Sequence, residues 1–310
     1  MQQKIMPCLW FDKDAEDAMN FYVSVFSKAQ AATGSSKIVS IKRYPDEVPA
    51  DFMKGMEGKV LTGIFELAGH RFMALDGGSI FKFTPAISFF VMCHSADEVD
   101  GYWSSLSDAG TVLMPLDTYP FSEKYGWIQD KYGVSWQVIL AEGTVEQKIV
   151  PSLLFVGDQA GKAEQAIHFY AEVFGDAAVG NIARYGADQE PEREGMVAYA
   201  DFRLEGQPFA AMDSVLQHDF TFNEAISFHV ECATQAEVDT LWEKLSAVPE
   251  SEQCGWLKDQ YGVSWQIIPK QLGELMNDPD PEKSGRVMDA MLQMKKIDVA
   301  ALEAAYRQSA

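Results

Sequence analysis

The sequence predicts an α+β protein built from tandem paired βαβββ modules, followed by a helical tail. Three observations predict this class. Four segments of the first half return in the second half in the same order, and strand-like and helix-like periodicities alternate within each copy. The last part of the chain changes to short amphipathic helical patterns separated by prolines. We place the copies at 1–145 and 146–270 and the linker and tail at 271–310.

The internal repeat is close enough to define the domains. AEDAMNFYVSVF from Ala15 returns as AEQAIHFYAEVF from Ala163, with seven of twelve positions identical. GWIQDKYGVSWQVI from Gly126 returns as GWLKDQYGVSWQII from Gly255, with ten of fourteen identical. The offset between the copies falls only from 148 to 129 residues. Solenoid repeats are about 20–50 residues long, so each of these longer copies is expected to fold as a domain.

Each copy is expected to contain two rounds of strand, helix and further strands. In the first copy IMPCLWF predicts a strand, and apolar residues spaced by three and four predict a helix that begins at Asp14. Acidic residues crowd its first turn, where the helix dipole favours them. Three strands follow at SKIVSIKRY, KVLTGIFELA and HRFMALD. The second round has a strand at AISFFVMCH, a helix through Leu106 and closing strands at GWIQD and VSWQVIL.

The tail has a different pattern. Pro279 and Pro281 mark a linker that ends any helix before it. Ser284 is the predicted cap of a helix that runs to about Met294, and Asp298 is the predicted cap of a second helix. Two short amphipathic helices need an apolar surface to cover. We expect them to dock on the protein's own sheet or on a second subunit, as in a homodimer through these helices.

Composition excludes several partners. The chain has 310 residues, enough for about two domains, and a formal net charge of −21. Such a charge repels phosphate backbones and anionic lipid, so neither nucleic acid nor a membrane surface is an expected partner. The sequence shows neither a signal peptide nor an apolar run long enough for a membrane span. Four cysteines without metal-site spacing indicate a reducing compartment, and we predict a cytoplasmic protein.

The recurring segments also resemble a known family. PCLWF, the FY helix, AISFFV and DKYGVSWQV are similar to segments of the vicinal oxygen chelate (glyoxalase/bleomycin resistance/dioxygenase) superfamily. The resemblance is to its PhnB-like branch, often labelled 3-demethylubiquinone-9 3-methyltransferase, and covers nearly all of the chain. It implies that paired βαβββ modules curl into U-shaped, mainly antiparallel sheets with a ligand site on the concave face. It says little about the reaction, because isomerases, dioxygenases, lyases and drug-sequestering proteins share the scaffold.

The resemblance also implies positions for metal ligands. In this sequence they fall on Pro7, Ala86 and Gln137 in the first copy and on Pro151, Ala225 and Gln266 in the second. The remaining positions fall near Asp76 and Asp213. Proline and alanine side chains offer no donor atom, and a divalent ion needs several carboxylate or imidazole donors. We therefore predict that neither copy binds a metal ion or another cofactor.

Strand alternation selects the candidate ligand-binding residues. It places Gln137 on the concave face and Trp136 beneath the helices. The strands AISFFV and AISFHV align without a gap, so Phe90 and His229 are expected at equivalent places. His229 is the candidate catalytic residue, and a satisfied polar residue is its alternative reading. The predicted ligand-binding set is Asp76, Phe90, Trp127, Gln137, Asp213, His229, Trp256 and Gln266.

The expected function is binding of a small organic molecule in an apolar, metal-free cavity, and catalysis is left open. One alternative is a metal-dependent lyase or dioxygenase that uses Asp76 or Asp213 with His229. The other is a non-catalytic structural or interaction protein. Methyl transfer is not expected, because the sequence has no glycine-rich strand-to-helix loop. We expect the copies to pair as a pseudo-dimer within the chain. If one cavity is functional, we favour the second, with His229, Gln266 and Asp213.

Overall fold

The computed structural model describes residues 3–28, 34–46 and 54–308. Its strands are β1 Ile5–Phe11, β2 Lys37–Arg43, β3 Val60–Leu67, β4 His70–Asp76, β5 Ile87–Cys93, β6 Thr111–Tyr119, β7 Ser122–Gln129, β8 Ser135–Leu140, β9 Ile149–Phe155, β10 Ala178–Arg184, β11 Val197–Leu204, β12 Gln207–Asp213, β13 Ile226–Cys232, β14 Trp256–Lys258 and β15 Ser264–Pro269. Its helices are α1 Ala15–Lys28, α2 Ala96–Leu106, α3 Ala163–Val173, α4 Gln235–Leu245, α5 Lys270–Met276, α6 Pro281–Leu292 and α7 Val299–Arg307. None of the helices in these ranges is long and apolar enough to cross a membrane.

The chain forms two compact units. The first unit is Pro7–Ile226, and the second unit combines the described residues before Pro7 with those after Ile226. These units are not the two sequence copies, because the first unit contains all of one copy's second module together with the other copy's first module. The division of the chain into domains at 145/146 stays a prediction.

The first unit contains an eight-stranded sheet with the order β10-β11-β12-β9-β5-β8-β7-β6. Its central pair, β5 and β9, runs antiparallel, with Ser88 opposite Ser152. This pair joins the two sequence copies in one sheet. The same unit also contains strands in the order β1-β4-β3-β2, in which β1 and β4 are parallel and the other pairs are antiparallel. The α+β class and the mainly antiparallel sheets are as predicted.

Alternation along β8 separates core from site. Trp136 is fully buried and packs against Tyr22 and Phe26 of α1 and against Phe89 of β5. Gln137 points to the opposite side of the strand. We call the side of the eight-stranded sheet that carries Ser88, Phe90, Gln137, Ser152 and Ala210 the inner face. The predicted division between Trp136 and Gln137 is confirmed.

The recurring Asp-x-Tyr-Gly segment is a structural turn. Asp130 Oδ1 accepts hydrogen bonds from the backbone N–H groups of Tyr132 (2.8 Å) and Val134 (3.1 Å), and Oδ2 accepts one from Trp136 Nε1 (2.8 Å). Gly133 has a φ of +91°, a conformation that favours glycine. The second copy repeats all three bonds around Asp259 at 2.9, 3.0 and 2.8 Å. This carboxylate fixes the turn and the core tryptophan together.

The second unit contains strands in the order β14-β15-β13, with α4 packed on β15 and β14. The tail helices α5, α6 and α7 pack on one another and enclose a separate apolar core. Its buried members are Leu272, Val287, Ile297 and Leu302, and Ile268 of β15 packs against them. The tail therefore docks on its own chain, which is one of the two expected arrangements.

The start of α6 differs from the expectation. The predicted cap Ser284 is wrong: Asp280 caps the helix by accepting hydrogen bonds from Glu282 N (3.0 Å) and Lys283 N (3.4 Å). Pro281 is the first helical residue. A backbone N–H at this position has no acceptor within the helix, so a proline there removes no hydrogen bond. Asp298 caps α7 as predicted, accepting a hydrogen bond from Ala301 N at 3.0 Å.

The tail takes the place of a hairpin strand. Gly126 follows Leu106 by 20 residues, which include β6, whereas Gly255 follows Leu245 by only 10. In the second unit the backbone N–H groups of Cys254 and Gly255 instead donate to the carbonyl oxygens of Met294 (2.8 Å) and Lys295 (2.7 Å). The tail thus satisfies backbone groups beside β14, where the first copy has a β6–β7 pair.

Candidate functional site

The structure gathers the predicted residues into two equivalent groups. In the first unit Gln137 on β8 is the Cα partner of both Phe90 on β5 and Trp127 on β7. In the second unit Gln266 on β15 is the partner of both His229 on β13 and Trp256 on β14. Phe90 and His229 therefore hold equivalent places, as the aligned strands predict.

Asp76 and Asp213 do not join these groups. Asp76 accepts hydrogen bonds from the backbone N–H groups of Ala15 and Val60, both at 2.9 Å. Asp213 does the same for the residues that start α3 and β11: Gly161 (2.8 Å), Ala163 (3.1 Å) and Val197 (3.1 Å). Burial raises the pKa of both carboxyl groups, and these N–H bonds oppose that effect.

Each carboxylate connects the first turn of a helix to the start of a strand through hydrogen bonds from backbone N–H groups. The two aspartates share a strand face with Ala74 and Ala211, which are fully buried. Asp213 also belongs to the first unit, whereas His229 and Gln266 belong to the second. Asp76 and Asp213 therefore have a structural role and are not among the proposed ligand-binding residues.

A polar network forms the floor of the inner face. Gln137 is 1% exposed, its Oε1 accepts a hydrogen bond from the Tyr125 hydroxyl (2.6 Å), and its Nε2 donates to Ser88 Oγ (2.8 Å). Trp127 Nε1 donates to Ser135 Oγ at 2.7 Å. All of these partners are side chains on the inner face. The hydrogen bonds to Tyr125 and Ser88 fix the orientation of the Gln137 amide and thereby which of its N–H and C=O groups remain available to a ligand.

Ser152 lies beside this network and is different. It stands on β9, with Ser88 of β5 as its partner on one side and Ala210 of β12 on the other. It is 0% exposed, and its Oγ has no hydrogen-bond partner among the described residues. An unsatisfied buried hydroxyl costs about 1–3 kcal/mol. Strain, an ordered water or a ligand are the three ways in which proteins account for such a group.

Ser152 also corrects one implied position. The resemblance places a ligand position on Pro151, but alternation turns Pro151 to the same side as the buried Leu153 and Phe155. Its neighbour Ser152 is the residue on the inner face. Sequence analysis missed Ser152 and Tyr125. The sequence signal for Ser152 is the alternation along PSLLF, which turns Ser152 away from Leu153 and Phe155.

An apolar layer covers the polar floor. Phe90, Tyr125 and Ala210 are buried, and a ring of partly exposed side chains packs on them: Met92, Met114, Tyr119, Trp127, Ile139, Val150, Tyr199 and Met212. Phe90 meets Tyr199 edge to face, with ring centroids 5.9 Å apart. Burial raises the pKa of Tyr199 to about 12 and also raises the pKa of Tyr125. Both phenols are therefore neutral near pH 7.

The second unit carries a histidine at the equivalent place. His229 Nδ1 is buried without a partner in the part of the chain that the structure describes. Burial lowers the pKa of His229 to about 4, so its imidazole is neutral near pH 7. Gln266 Nε2 donates to Ser227 Oγ at 2.9 Å, which matches the bond between Gln137 and Ser88. Cys254 stands where the first copy has Tyr125.

The pH dependence of stability tests this description of His229. Because its pKa is about 4 in the folded state and about 6.5 when unfolded, the unfolded state binds more protons between these values. Stability is thus lost as the pH falls through this window. Between pH 7 and 5 we expect the wild type to lose up to about 2 kcal/mol more than His229→Phe, as measured by urea unfolding.

A second histidine provides the control. Burial also lowers the pKa of His70, to about 3, and the second copy has Gln207 at the equivalent place. His70→Gln should reduce the pH dependence of stability independently of His229→Phe.

At pH 7 the stability of His229→Phe should stay within about 1 kcal/mol of wild type, because the first copy has phenylalanine there. Equal pH slopes for His229→Phe and wild type would refute the assignment.

The residues present do not fit the metal site of the fold family. Pro7, Ala86, Pro151 and Ala225 supply no side-chain donor. Gln137 and Gln266 are held by serine hydroxyls, and the two aspartates are held by backbone N–H groups. Within residues 3–28, 34–46 and 54–308, no group of three or more His, Cys, Asp or Glu side chains is placed to hold a metal ion.

A groove on the helix side is a competing site. It has a volume of about 720 Å³ and lies between α1 and α2. It is lined by Phe21, Ser24, Val25, Lys28, Trp103, Ser104, Ser105, Ser107 and Asp108. Most of these side chains are polar, and none of them is a buried polar group that lacks a partner. We therefore consider the inner face a better candidate ligand site than this groove.

Comparisons with known proteins identify the family. A family profile described as 3-demethylubiquinone-9 3-methyltransferase matches residues 3–139 and 147–268. Among solved structures, a putative 3-demethylubiquinone-9 3-methyltransferase (PhnB protein) from Bacillus cereus is 45% identical over 45% of this chain and 100% of its own, with a TM-score of 0.39.

Glyoxalase I from Zea mays is 11% identical over 89% of this chain and 95% of its own, with a TM-score of 0.52. At that identity the likeness shows the fold alone. No curated protein matches the chain significantly. The family profile covers most of both copies, so the chain belongs to the 3-demethylubiquinone-9 3-methyltransferase family, and it has the fold of glyoxalase I.

Proposed function

We propose that this protein binds a small, uncharged organic molecule on the inner face of the eight-stranded sheet without a metal ion. Ser152 carries the proposal: its fully buried hydroxyl lacks a partner in the described chain and lies next to the bond between Gln137 and Ser88. A ligand that pairs with this hydroxyl removes the cost of leaving it unsatisfied. The surrounding aromatic and methionine side chains supply the apolar contact that small-molecule sites need.

The second unit supports a related site with different chemistry. His229 offers a buried imidazole nitrogen without a described partner, beside the bond between Gln266 and Ser227. A neutral imidazole can donate or accept one hydrogen bond and can take up a proton. We propose His229 as the ligand-contacting group of the second unit and as its candidate for acid–base chemistry.

The alternatives have less support. A metal-dependent lyase needs donor groups, and the carboxylates of Asp76 and Asp213 are committed to backbone N–H groups. A purely structural role leaves the cost of the Ser152 hydroxyl, which has no partner in the described chain, without compensation. Methyl transfer, which the family description names, needs a cofactor loop for which the sequence has no glycine-rich candidate.

We also propose that the protein works in the cytoplasm. Cys8, Cys93 and Cys232 are free and buried, and Cys254 is free and partly exposed. Free thiols persist where the compartment is reducing. Burial raises the pKa of Cys93 to about 12 and also raises that of Cys254, so neither is an activated thiolate.

A neutral, polarity-sensitive dye tests the proposed function. We expect EDTA-treated wild-type protein to bind Nile red saturably, with a blue shift of its emission, and to bind it equally well before EDTA treatment. Phe90→His, which gives the first unit the residue of the second, should weaken binding there about tenfold, because it replaces a large apolar ring with a smaller polar one. The reciprocal His229→Phe should leave the first unit's affinity unchanged. Absence of saturable binding, or binding only with added metal, would contradict the proposal.

A further inference from the structure

The hydrogen bonds of the polar floor determine what a ligand must offer. The Tyr125 hydroxyl already donates its proton to Gln137 Oε1, so this O–H is not available to donate to a ligand. Ser88 Oγ accepts from Gln137 Nε2, which leaves the Ser88 O–H free to donate. Ser152 has its own O–H to donate. The floor thus presents two hydroxyl groups, and one acceptor oxygen can satisfy both O–H donors together.

The two hydroxyl groups are placed to meet one atom. Ser88 and Ser152 are directly opposite each other in the antiparallel pair of β5 and β9 and lie on the same face. Directly opposed residues have Cβ atoms about 4.5–5.5 Å apart. A carbonyl oxygen has two lone pairs and can accept from both hydroxyls at once.

The walls favour a flat ring. Phe90 and Tyr199 stand edge to face beside the floor, and a second aromatic group continues from Tyr125 to the β6–β7 turn. In that group Tyr119 and Phe121 stack with centroids 5.6 Å apart at 22°, and Phe121 is 58% exposed. Aromatic faces and edges pair best with other planar rings. Met92, Met114 and Met212 are flexible side chains that can move aside for such a ring.

The charges argue against an anionic ligand. The inner-face positions next to the floor, Phe90, Ala210 and Met212, carry no charge, and the Cα partner of Ala210 on β11 is the acidic Asp201. Lys148, two residues before Val150, is paired with Glu98 of α2 and donates to the Met92 carbonyl oxygen. No described cation therefore faces the floor from β9, and the net charge of −21 disfavours an anion further.

We infer that the inner face of the first unit selects planar aromatic molecules that carry a carbonyl oxygen, with the Ser152 and Ser88 hydroxyl groups donating to that oxygen. This inference rests on the proposed function and names its ligand class. Ser152 is the residue that sets the selectivity, because it is the donor without another partner in the described chain.

Three probes test the inference: 2-acetylnaphthalene, naphthalene and acetylcyclohexane. Binding is followed in metal-free protein through the indole N–H signal of Trp127 by NMR. We expect wild type to bind 2-acetylnaphthalene about tenfold more tightly than naphthalene, since a hydrogen bond from a buried hydroxyl contributes about one such factor. The non-planar acetylcyclohexane should bind at least about tenfold more weakly than 2-acetylnaphthalene, because it cannot stack.

Ser152→Ala should bring the affinities for the two naphthalenes within about twofold while leaving naphthalene binding unchanged, which also shows that the variant folds. Ser227→Ala, which changes the matching serine of the second unit, should leave all affinities reported by Trp127 unchanged. Equal binding of the two naphthalenes by wild type, or an equal loss of both in Ser152→Ala, overturns the inference and leaves the proposed function standing. If no probe moves the Trp127 signal, the proposed function fails, and the inference fails with it.

Discussion

Lys148→Met is expected to lower the free energy of unfolding by about 3–5 kcal/mol, because it leaves a buried carboxylate without its partner. The side chains of Lys148 and Glu98 are 2% and 7% exposed and form an ion pair. Lys148 Nζ also donates to the Met92 carbonyl oxygen at 2.8 Å. Urea unfolding at pH 7 measures the loss.

Two variants control this prediction. Lys4 and Glu237 form the equivalent pair in the second unit, but their side chains are 28% and 26% exposed, so Lys4→Met should cost at most about 1 kcal/mol. The double variant Lys148→Met with Glu98→Gln should recover most of the stability, since the introduced amide is uncharged and keeps an acceptor for the His94 N–H that Glu98 now binds. If the double variant is no more stable than Lys148→Met, the loss has another cause.

Asp130→Ala is expected to cost about 3 kcal/mol or more, because it leaves three donors without their acceptor. Those donors are the backbone N–H groups of Tyr132 and Val134 and the indole N–H of the fully buried Trp136. Asp130→Asn keeps one acceptor oxygen for the two backbone N–H groups but turns an NH2 group towards the Trp136 indole N–H, so it should cost less than Asp130→Ala without being neutral. Thermal or urea unfolding measures both.

The second copy supplies the matched variant. Asp259→Ala removes the same three bonds around Trp265 and should cost the second unit a similar amount. A cost below about 1 kcal/mol for both alanine variants would show that water satisfies the turn and that the carboxylate is dispensable.

Much of the fold could be predicted because its signals are local. Alternation located β4 at His70–Asp76 without error and separated Trp136 from Gln137 across β8. The repeat predicted the equivalence of Phe90 and His229. The pairing of β5 with β9 could not be predicted, because nothing local says which modules share a sheet. β6 was not located either, since its mostly exposed residues show little alternation of burial.

The site was only partly predictable for a chemical reason. A carboxylate at a strand end is typical of a ligand site, but Asp76 shows that it is equally suited to accept the first N–H groups of a helix and a strand. A serine inside PSLLF is typical of a core, yet the Ser152 hydroxyl lies on the inner face without a partner in the part of the chain that the structure describes. Hydrogen-bond partners decide both cases, and they are set by the fold rather than by sequence spacing.

The most direct test of the central claim compares two tryptophans in one NMR titration. Trp127 lies at the inner face, and Trp103 lines the groove between α1 and α2. The indole N–H signals are assigned from Trp127→Phe and Trp103→Phe and are followed while 2-acetylnaphthalene is added to EDTA-treated wild type. A saturable shift of the Trp127 signal, with the Trp103 signal unmoved, is the predicted result. A saturable shift of Trp103 with Trp127 unmoved would contradict the claim that the metal-free inner face is the ligand site.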